Sequence, residues 1–505
     1  MNYIDYMKLN PFQRFWYNFS SGLKAFPKKF LGFFAAIAHL FAKLFVGLGK
    51  AVAGYFTRFF KGDWAVKISY LVMGFSNIVR GQIAKGLIFL AIEVGYVAYM
   101  VSFGLDKISL FGTLGVKQSQ EVLNLQTGNY DFIPGDDSRQ ILLYSILTIM
   151  VTAVFVFVYF SSVKSAYKAY EAKVAGEKLP TFRDELRDLL DKKFHVTLLA
   201  FPTLTIAIFT IIPMVFMILM AFTNYDKQHL APGNLFTWVG FQNFTDIFDI
   251  AASPRNAFTF IELTKWTIVW AIFATVLNYI FGMILALMIN KKGIKLKSLW
   301  RTLFVVAIAV PQFVSLLLMN QMLNKNYGAI NVLLCDTLGL VPQYIDFLGS
   351  TPLLAKITII VINCWVGIPY TILITSGILM NIPADLYESA TIDGAGPVKS
   401  FMKITLPYML FVTTPYLITT FIGNINNFNV IFLLTNGGGG PRTPEFHAEA
   451  GSADLLVTWL FKLTQNVQDY KLAATIGILV FVVSATLSLV TFNLTKSANN
   501  EEDFS

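Results

Sequence analysis

Charge is scarce in this sequence. Only 14% of its 505 residues are Asp, Glu, Lys or Arg, while 55% are hydrophobic. That balance excludes an ordinary soluble domain, in which about a quarter of residues are charged. Cysteine is nearly absent. Cys335 and Cys364 have neither metal-type spacing nor a disulfide framework, and read as inert apolar residues. Four histidines, none in a cluster with ligand spacing, leave no zinc site. No G-x-x-x-x-G-K-[ST] loop is present. Gly47-Leu-Gly49-Lys50 is followed by Ala51 within a lysine-rich stretch, so nothing here cradles ATP phosphates. A transporter driven by an ion gradient needs ionisable groups in mid-membrane. Glu93 is the main candidate; it has no partner evident in sequence, and reads as a lone acid against a neighbouring helix or polar cavity. The energy for any transport then has to enter from outside this polypeptide.

What is present is apolar sequence in long runs. Eight are long enough for a bilayer that takes ~20 residues of helix: roughly 84–103, 141–161, 196–222, 267–289, 302–322, 357–380, 409–434 and 472–492. The fold class expected is an all-α polytopic membrane protein with about eight transmembrane helices. The formal charge of +9 belongs to particular loops, which points to topology and lipid headgroups and not to nucleic acid. Lys164, Lys168, Lys173, Lys178, Arg183, Arg187, Lys192 and Lys193 fall between the second and third runs, and Lys291, Lys292, Lys295, Lys297 and Arg301 follow the fourth. With basic loops kept inside, both termini are cytoplasmic. No cleavable signal peptide is apparent at Met1, and the first span serves as an uncleaved signal. From Phe30 to Phe60 apolar residues recur at helical spacing, with Lys43, Lys50 and Lys61 along one line, as in an amphipathic helix lying in the headgroup region; a true span over 30–48 is the alternative.

The domain organisation follows: 1–83, cytoplasmic and interfacial; 84–195, two spans and a basic loop; 196–262, the third span and a short external loop; 263–497, a permease core; 498–505, a cytoplasmic tail. The external loop at 436–471 begins with four glycines and contains Asp454 to Lys462, which reads as an amphipathic surface helix. The loop at 104–140 reads as polar and moderately short.

One stretch, 381–408, is too polar to share the environment of the runs beside it. Pro383 suits a first helical turn, Asp385 and Glu388 place negative charge near that helix's positive end, and Gly394 and Gly396 supply a break. Pro397 opens a second helix with Val398, Phe401, Met402 and Thr405 on one face, and Pro407 is expected to end it.

Polar residues inside spans need hydrogen-bond partners. Three clusters qualify: Pro311-Gln312; Asn363, Gly367 and Tyr370, which share a helical face and whose glycine lets a ligand approach the backbone; and Asn424 with Asn427, at i and i+3. Amides, a glycine and aromatic rings suit a sugar. They equally suit interhelical hydrogen bonding, and the residues alone leave both readings open.

Glu388-Ser389-Ala390, Gly394 and Ile404-x-Leu406-Pro407 resemble the EAA coupling loop of ABC-importer permeases, with Ser389 where the family usually has alanine. The stretches WVGIPY at 365–370 and NINNFNVIFLLTNGG at 424–438 resemble the larger permease subunit of maltose/maltodextrin importers, and the resemblance covers most of Val196 to Ser497. It implies a type I ABC importer permease fold in a bacterial cytoplasmic membrane, with no catalytic or metal site of its own. It implies sugar contacts at Gln312, Asn363, Val366, Gly367, Tyr370, Asn424 and Asn427, and ATPase coupling at Glu388, Ser389, Ala390, Gly394, Ile404, Leu406 and Pro407. Ile308 and Gly423 stand where the family pattern has aromatic rings, which leaves the sugar open. The implied partners are a second permease, an ABC ATPase dimer that uses ATP and Mg, and an external sugar-binding lipoprotein or periplasmic protein. The alternatives are a permease for another oligosaccharide or glycerol phosphate, and a secondary transporter.

Overall fold

The computed structural model describes residues 52–494, apart from 124–127, 252 and 292, together with isolated positions between 39 and 50. Of the stretch expected to lie in the headgroup region, 30–60, about half falls outside these residues and 52–60 is helical; the tail at 498–505 lies outside them. The chain divides into two compact units, one ending at Phe241 and one beginning at Gln242.

The first unit contains two short helices, α1 (Trp64–Ile68) and α2 (Phe75–Val79), ahead of the long α3 (Ile83–Ser109). Glu93 of α3 is not alone: its Oε2 accepts the backbone N–H of Met73 at 2.7 Å, so the acid caps the chain between α1 and α2. The loop at 104–140 is not featureless either. It carries an antiparallel hairpin, β1 (Gln120–Leu123) and β2 (Tyr130–Ile133), paired from Gln120↔Ile133 to Leu123↔Tyr130. The carboxylate of Asp136 closes its base by accepting the N–H groups of Val116 and Lys117 at 2.7 and 2.8 Å. These backbone bonds hold the Asp136 carboxyl below the usual range. Helices α4 (Ser138–Val174), α5 (Phe182–Leu190) and α6 (Phe194–Met220) complete the unit.

The second unit is built on α8 (Pro254–Asn290), preceded by the short α7 (Gln242–Phe248). At ~1.5 Å per residue α8 is roughly 55 Å long, more than a ~30 Å hydrocarbon core requires. The apolar run at 267–289 therefore marks only the part of the helix suited to lipid. Next come α9 (Lys297–Ala309) and α10 (Gln312–Met322), bent by 86° against each other. The unbroken fifth span expected over 302–322 is thus corrected to two helices. Pro311 explains the break, because proline disfavours helical backbone at the residue before it; Val310 is accordingly extended, at φ −78° and ψ 120°. After α11 (Pro352–Met380) and α12 (Ala384–Ile392), α13 runs from Pro397 to Ile425. Pro407 does not end that helix. A π turn at Phe401–Thr405 just ahead of it widens the backbone, which accommodates a residue without an N–H.

The seventh run breaks as well, at Asn426 and Asn427, and restarts as α14 (Phe428–Leu434), whose first turn is capped by Asn427 accepting from the Val430 N–H. The short halves α10 and α14 lie together: Asn320 Nδ2 donates to the Leu434 carbonyl at 2.6 Å, and Leu316, Val430 and Leu434 join Trp270 and Ile359 in one apolar cluster.

Helix α15 (Leu456–Lys462) corrects another expectation. It is no surface helix: Trp459 is fully buried, and Asp454 and Lys462 pair at 2.6 Å with both side chains at most 2% exposed. Lys462 spends its other donors on the carbonyls of Gly438 and Glu449, and Asp454 also accepts from the Gly451 N–H and the Thr458 hydroxyl. The preceding glycines make this approach possible. Gly439 has φ +67°, and a Cβ there would collide with the Asp454 carboxylate. The last helix is α16 (Tyr470–Leu494). Among the described residues seven helices are long and apolar enough to cross a membrane, or eight with α9 and α10 taken as one bent span.

Candidate functional site

Helices α8, α10, α11 and α13 and the turn before α14 enclose a cavity of about 160 Å³. Gln312, Asn363, Gly367, Tyr370, Asn424 and Asn427 all line it. Val366 does not: it is half-buried against the apolar cluster around Trp270 and Ile362. The rest of the wall includes residues that the sequence reading passed over, chiefly Thr275, Asn278 and Tyr279 on α8, Thr371 on α11 and Tyr416 and Thr420 on α13. Thr275, Asn278 and Gly282 stand at i, i+3 and i+7 inside an apolar run. That is the same kind of signal that singled out the other clusters, and it was legible there too.

The local chain explains why these groups meet. Each helix break places a polar residue in the cavity wall, Gln312 after Pro311 and Asn427 after Asn426. The α8–α11 contact is equally specific. A Cβ on Gly282 would come within 2.5 Å of Thr371 Cβ, and a Cβ on Gly367 would run into the Asn278 amide. Each glycine seats a polar side chain of the other helix, a close approach that small residues permit. Gly367 thus lines the cavity while the position of its missing Cβ is taken by the Asn278 amide.

The asparagines expected to share a helical face meet across the break instead. Asn427 Nδ2 donates to Asn424 Oδ1 at 3.3 Å, and Asn424 Nδ2 donates to the Thr275 hydroxyl at 3.0 Å. The indole N–H of Trp270 closes the set by donating to the Asn424 carbonyl at 3.1 Å. On the opposite wall Tyr279 and Thr413 share a hydrogen bond of 2.8 Å. Among the described residues no charged side chain lines the cavity.

The stretch at 381–408 is an elbow. Pro383 precedes α12, in which Glu388 and Ser389 are exposed and Ala390 is half-buried. Gly394 has φ +71°, a left-handed turn that glycine adopts without a Cβ penalty, and the Ala395 N–H returns to the Ala390 carbonyl at 2.8 Å. Tyr387 then fastens α12 to the base of α13 through the Thr405 hydroxyl at 2.8 Å. Ile404 and Leu406 are half-buried beside that bond, while Pro407 is exposed. Ile392 and Val398, on either side of the turn, are 87% and 77% exposed. The result is a rigid elbow whose outer surface offers an acid and two apolar tips.

Residues 278–498 match the family model described as binding-protein-dependent transport system inner membrane component. Over 440 residues the chain is 33% identical to the maltodextrin transport system permease protein MdxF of Bacillus subtilis, an alignment spanning 86% of this chain and 95% of that one. The chain belongs to this permease family. It is 32% identical to the maltodextrin permease MalC of Streptococcus pneumoniae, over 84% of this chain and 93% of that one. It is also 32% identical to the galactooligosaccharides permease GanP of Bacillus subtilis, over 85% and 97%. As a member of the family it is a multi-pass inner-membrane component of an ABC importer. The matched segment begins at Asn278, inside α8, and contains the elbow and all the cavity residues expected from the sequence.

Proposed function

We propose that this chain is the permease subunit through which maltodextrin-like oligosaccharides cross the cytoplasmic membrane, working by alternating access and performing no chemistry itself. The observation that carries the reading is the cavity between two broken helices, walled by amides, hydroxyls and rings and free of charged side chains. Sugar hydroxyls both donate and accept hydrogen bonds, and amides answer both. A phosphate ester such as glycerol phosphate would call for a cation in the wall. Two of the relatives above are maltodextrin permeases and one is a galactooligosaccharide permease, which favours a neutral oligosaccharide.

The cavity's 160 Å³ is smaller than the ~300 Å³ at which small-molecule sites begin. A second permease subunit, or the opening of this one, supplies the remaining space. The elbow at Glu388 docks into a separate ATPase pair that binds ATP and Mg, and an external sugar-binding protein delivers the cargo. The basic loops at 162–195 and 291–301 support a cytoplasmic side for the elbow and both termini.

Reconstitution tests the reading. The complex of this chain with its partner permease, ATPases and binding protein, placed in liposomes, should take up labelled maltotriose only with ATP on the ATPase side. Uptake by this chain alone without ATP would make it a secondary transporter, and failure to move any neutral oligosaccharide would remove the sugar assignment.

A further inference from the structure

The four asparagines at the cavity are of two kinds. Asn424 and Asn427 use their amides within the protein, bonding to each other, to Thr275 and to the first turn of α14. Asn278 on α8 and Asn363 on α11 are 9% and 4% exposed, yet Asn278 Oδ1 and Asn363 Nδ2 have no hydrogen-bond partner. Buried polar atoms are ordinarily paired, and a native exception calls for an explanation.

The two orphans are complementary. One is an acceptor and the other a donor. A hydroxyl offers one donor and two acceptor lone pairs, so a single alcohol can satisfy both atoms. A carboxylate has nothing to give the acceptor, and an ammonium nothing to accept from the donor. We propose that Asn278, together with Asn363, reads one hydroxyl of the transported ligand, making Asn278 a specificity-determining residue beyond those expected from the sequence. The inference rests on the sugar-import reading and deepens it.

Packing holds Asn278 in this position. Its amide lies against Gly367, where a Cβ would displace it, and Gly282 one turn on receives Thr371. Asn363, Gly367 and Thr371 follow at i, i+4 and i+8 on α11, so the two glycine seats fix the register of α8 against α11, and Asn278 and Asn363 line the same cavity. The terminal torsion of asparagine is broad, so each amide can turn toward an occupant without moving its backbone. Within the protein neither orphan atom has a partner. A ligand hydroxyl relieves both, and a ligand lacking that hydroxyl relieves neither.

The test uses the reconstituted complex with maltotriose and a set of singly deoxygenated maltose analogues. With wild-type protein, one analogue should show a KM raised about tenfold over maltose, the cost of one hydrogen bond. Asn278→Ala, with assembly verified by co-purification, should raise KM for maltotriose by a similar factor. It should also abolish the discrimination against that one analogue while preserving it against the others. Asn278→Leu, close in size, covers the case in which the alanine variant fails to assemble, and should raise KM likewise because it offers the ligand hydroxyl no acceptor. If wild-type uptake is normal but KM is unchanged in the variants, or no analogue's penalty depends on residue 278, the orphan atoms serve a resident water and the inference is overturned. Failure of wild-type complex to take up maltotriose or any other neutral oligosaccharide overturns the import reading, and this inference with it.

Discussion

Two polar clusters are buried in the second unit, and they are built on opposite plans. Around Lys462 every donor has an acceptor: Asp454, the Gly438 carbonyl and the Glu449 carbonyl. Around Asn278 and Asn363 two amide atoms are left without partners. The first arrangement is self-sufficient and holds the loop at 436–471 onto the core, whatever ligand is present. The second leaves one amide acceptor and one amide donor unpaired within the protein. Burial alone therefore does not tell a polar residue whose bonds are all made within the protein from one with hydrogen-bonding capacity left over.

The largest effect should come from breaking the satisfied cluster. Lys462→Met leaves Asp454 as a buried, unpaired charge and should cost about 3–5 kcal/mol, read as a lower melting temperature of the purified complex. Asp454→Leu combined with Lys462→Met should recover most of that loss; a double variant as unstable as the single one would show that the ion pair is not the cause. Gly367→Ala comes next. A Cβ there displaces the Asn278 amide, so about 1–3 kcal/mol of overpacking strain should appear together with a raised KM for uptake. Loss of stability with unchanged KM would detach the glycine seat from recognition.

Trp270→Phe keeps the ring but removes the indole N–H from the Asn424 carbonyl. It should cost about 1–3 kcal/mol of stability. Because Asn424 is held by other bonds, selectivity among deoxy analogues should survive, in contrast to Asn278→Ala. At the elbow, Gly394→Ala meets no neighbouring atom, so only the left-handed backbone resists it, by about 1–2 kcal/mol. Assembly should persist while ATP-coupled uptake falls, and unaltered uptake per ATP would count against the elbow as the coupling element.

The smallest effect concerns pH and lies in the first unit. Folding lowers the pKa of Asp136, so its contribution is present above the unfolded carboxylate value of ~3.9 and is lost as pH falls through the folded value. Hydrogen exchange at Val116 and Lys117 should accelerate in that acid range, and Asp136→Asn should remove the pH dependence.

Much of the architecture was readable from residue order. Apolar runs located every long helix, because a bilayer demands continuous apolar length; Gly394 and Pro397 marked the elbow because few other residues fit those backbone positions. Six of the seven residues expected to contact sugar line one cavity, although that placement leaves their role to experiment. Other features were misjudged for identifiable reasons. Hydropathy cannot report the breaks at Pro311 and Asn426, since both halves remain apolar. Asp454 and Lys462 looked solvated because charge is normally exposed, and only a glycine-lined fold-over brings them inside as a pair.

Sequence by itself determined that this is a polytopic helical chain, with a polar elbow and amides set into its spans, because periodicity, composition and backbone preference act over a few neighbouring residues. Tertiary structure decided which amides are consumed in bonding one another and which are left open. Whether Asn278 Oδ1 has a partner depends on helices brought beside it from nearly a hundred residues away, and that contact has no signature within α8.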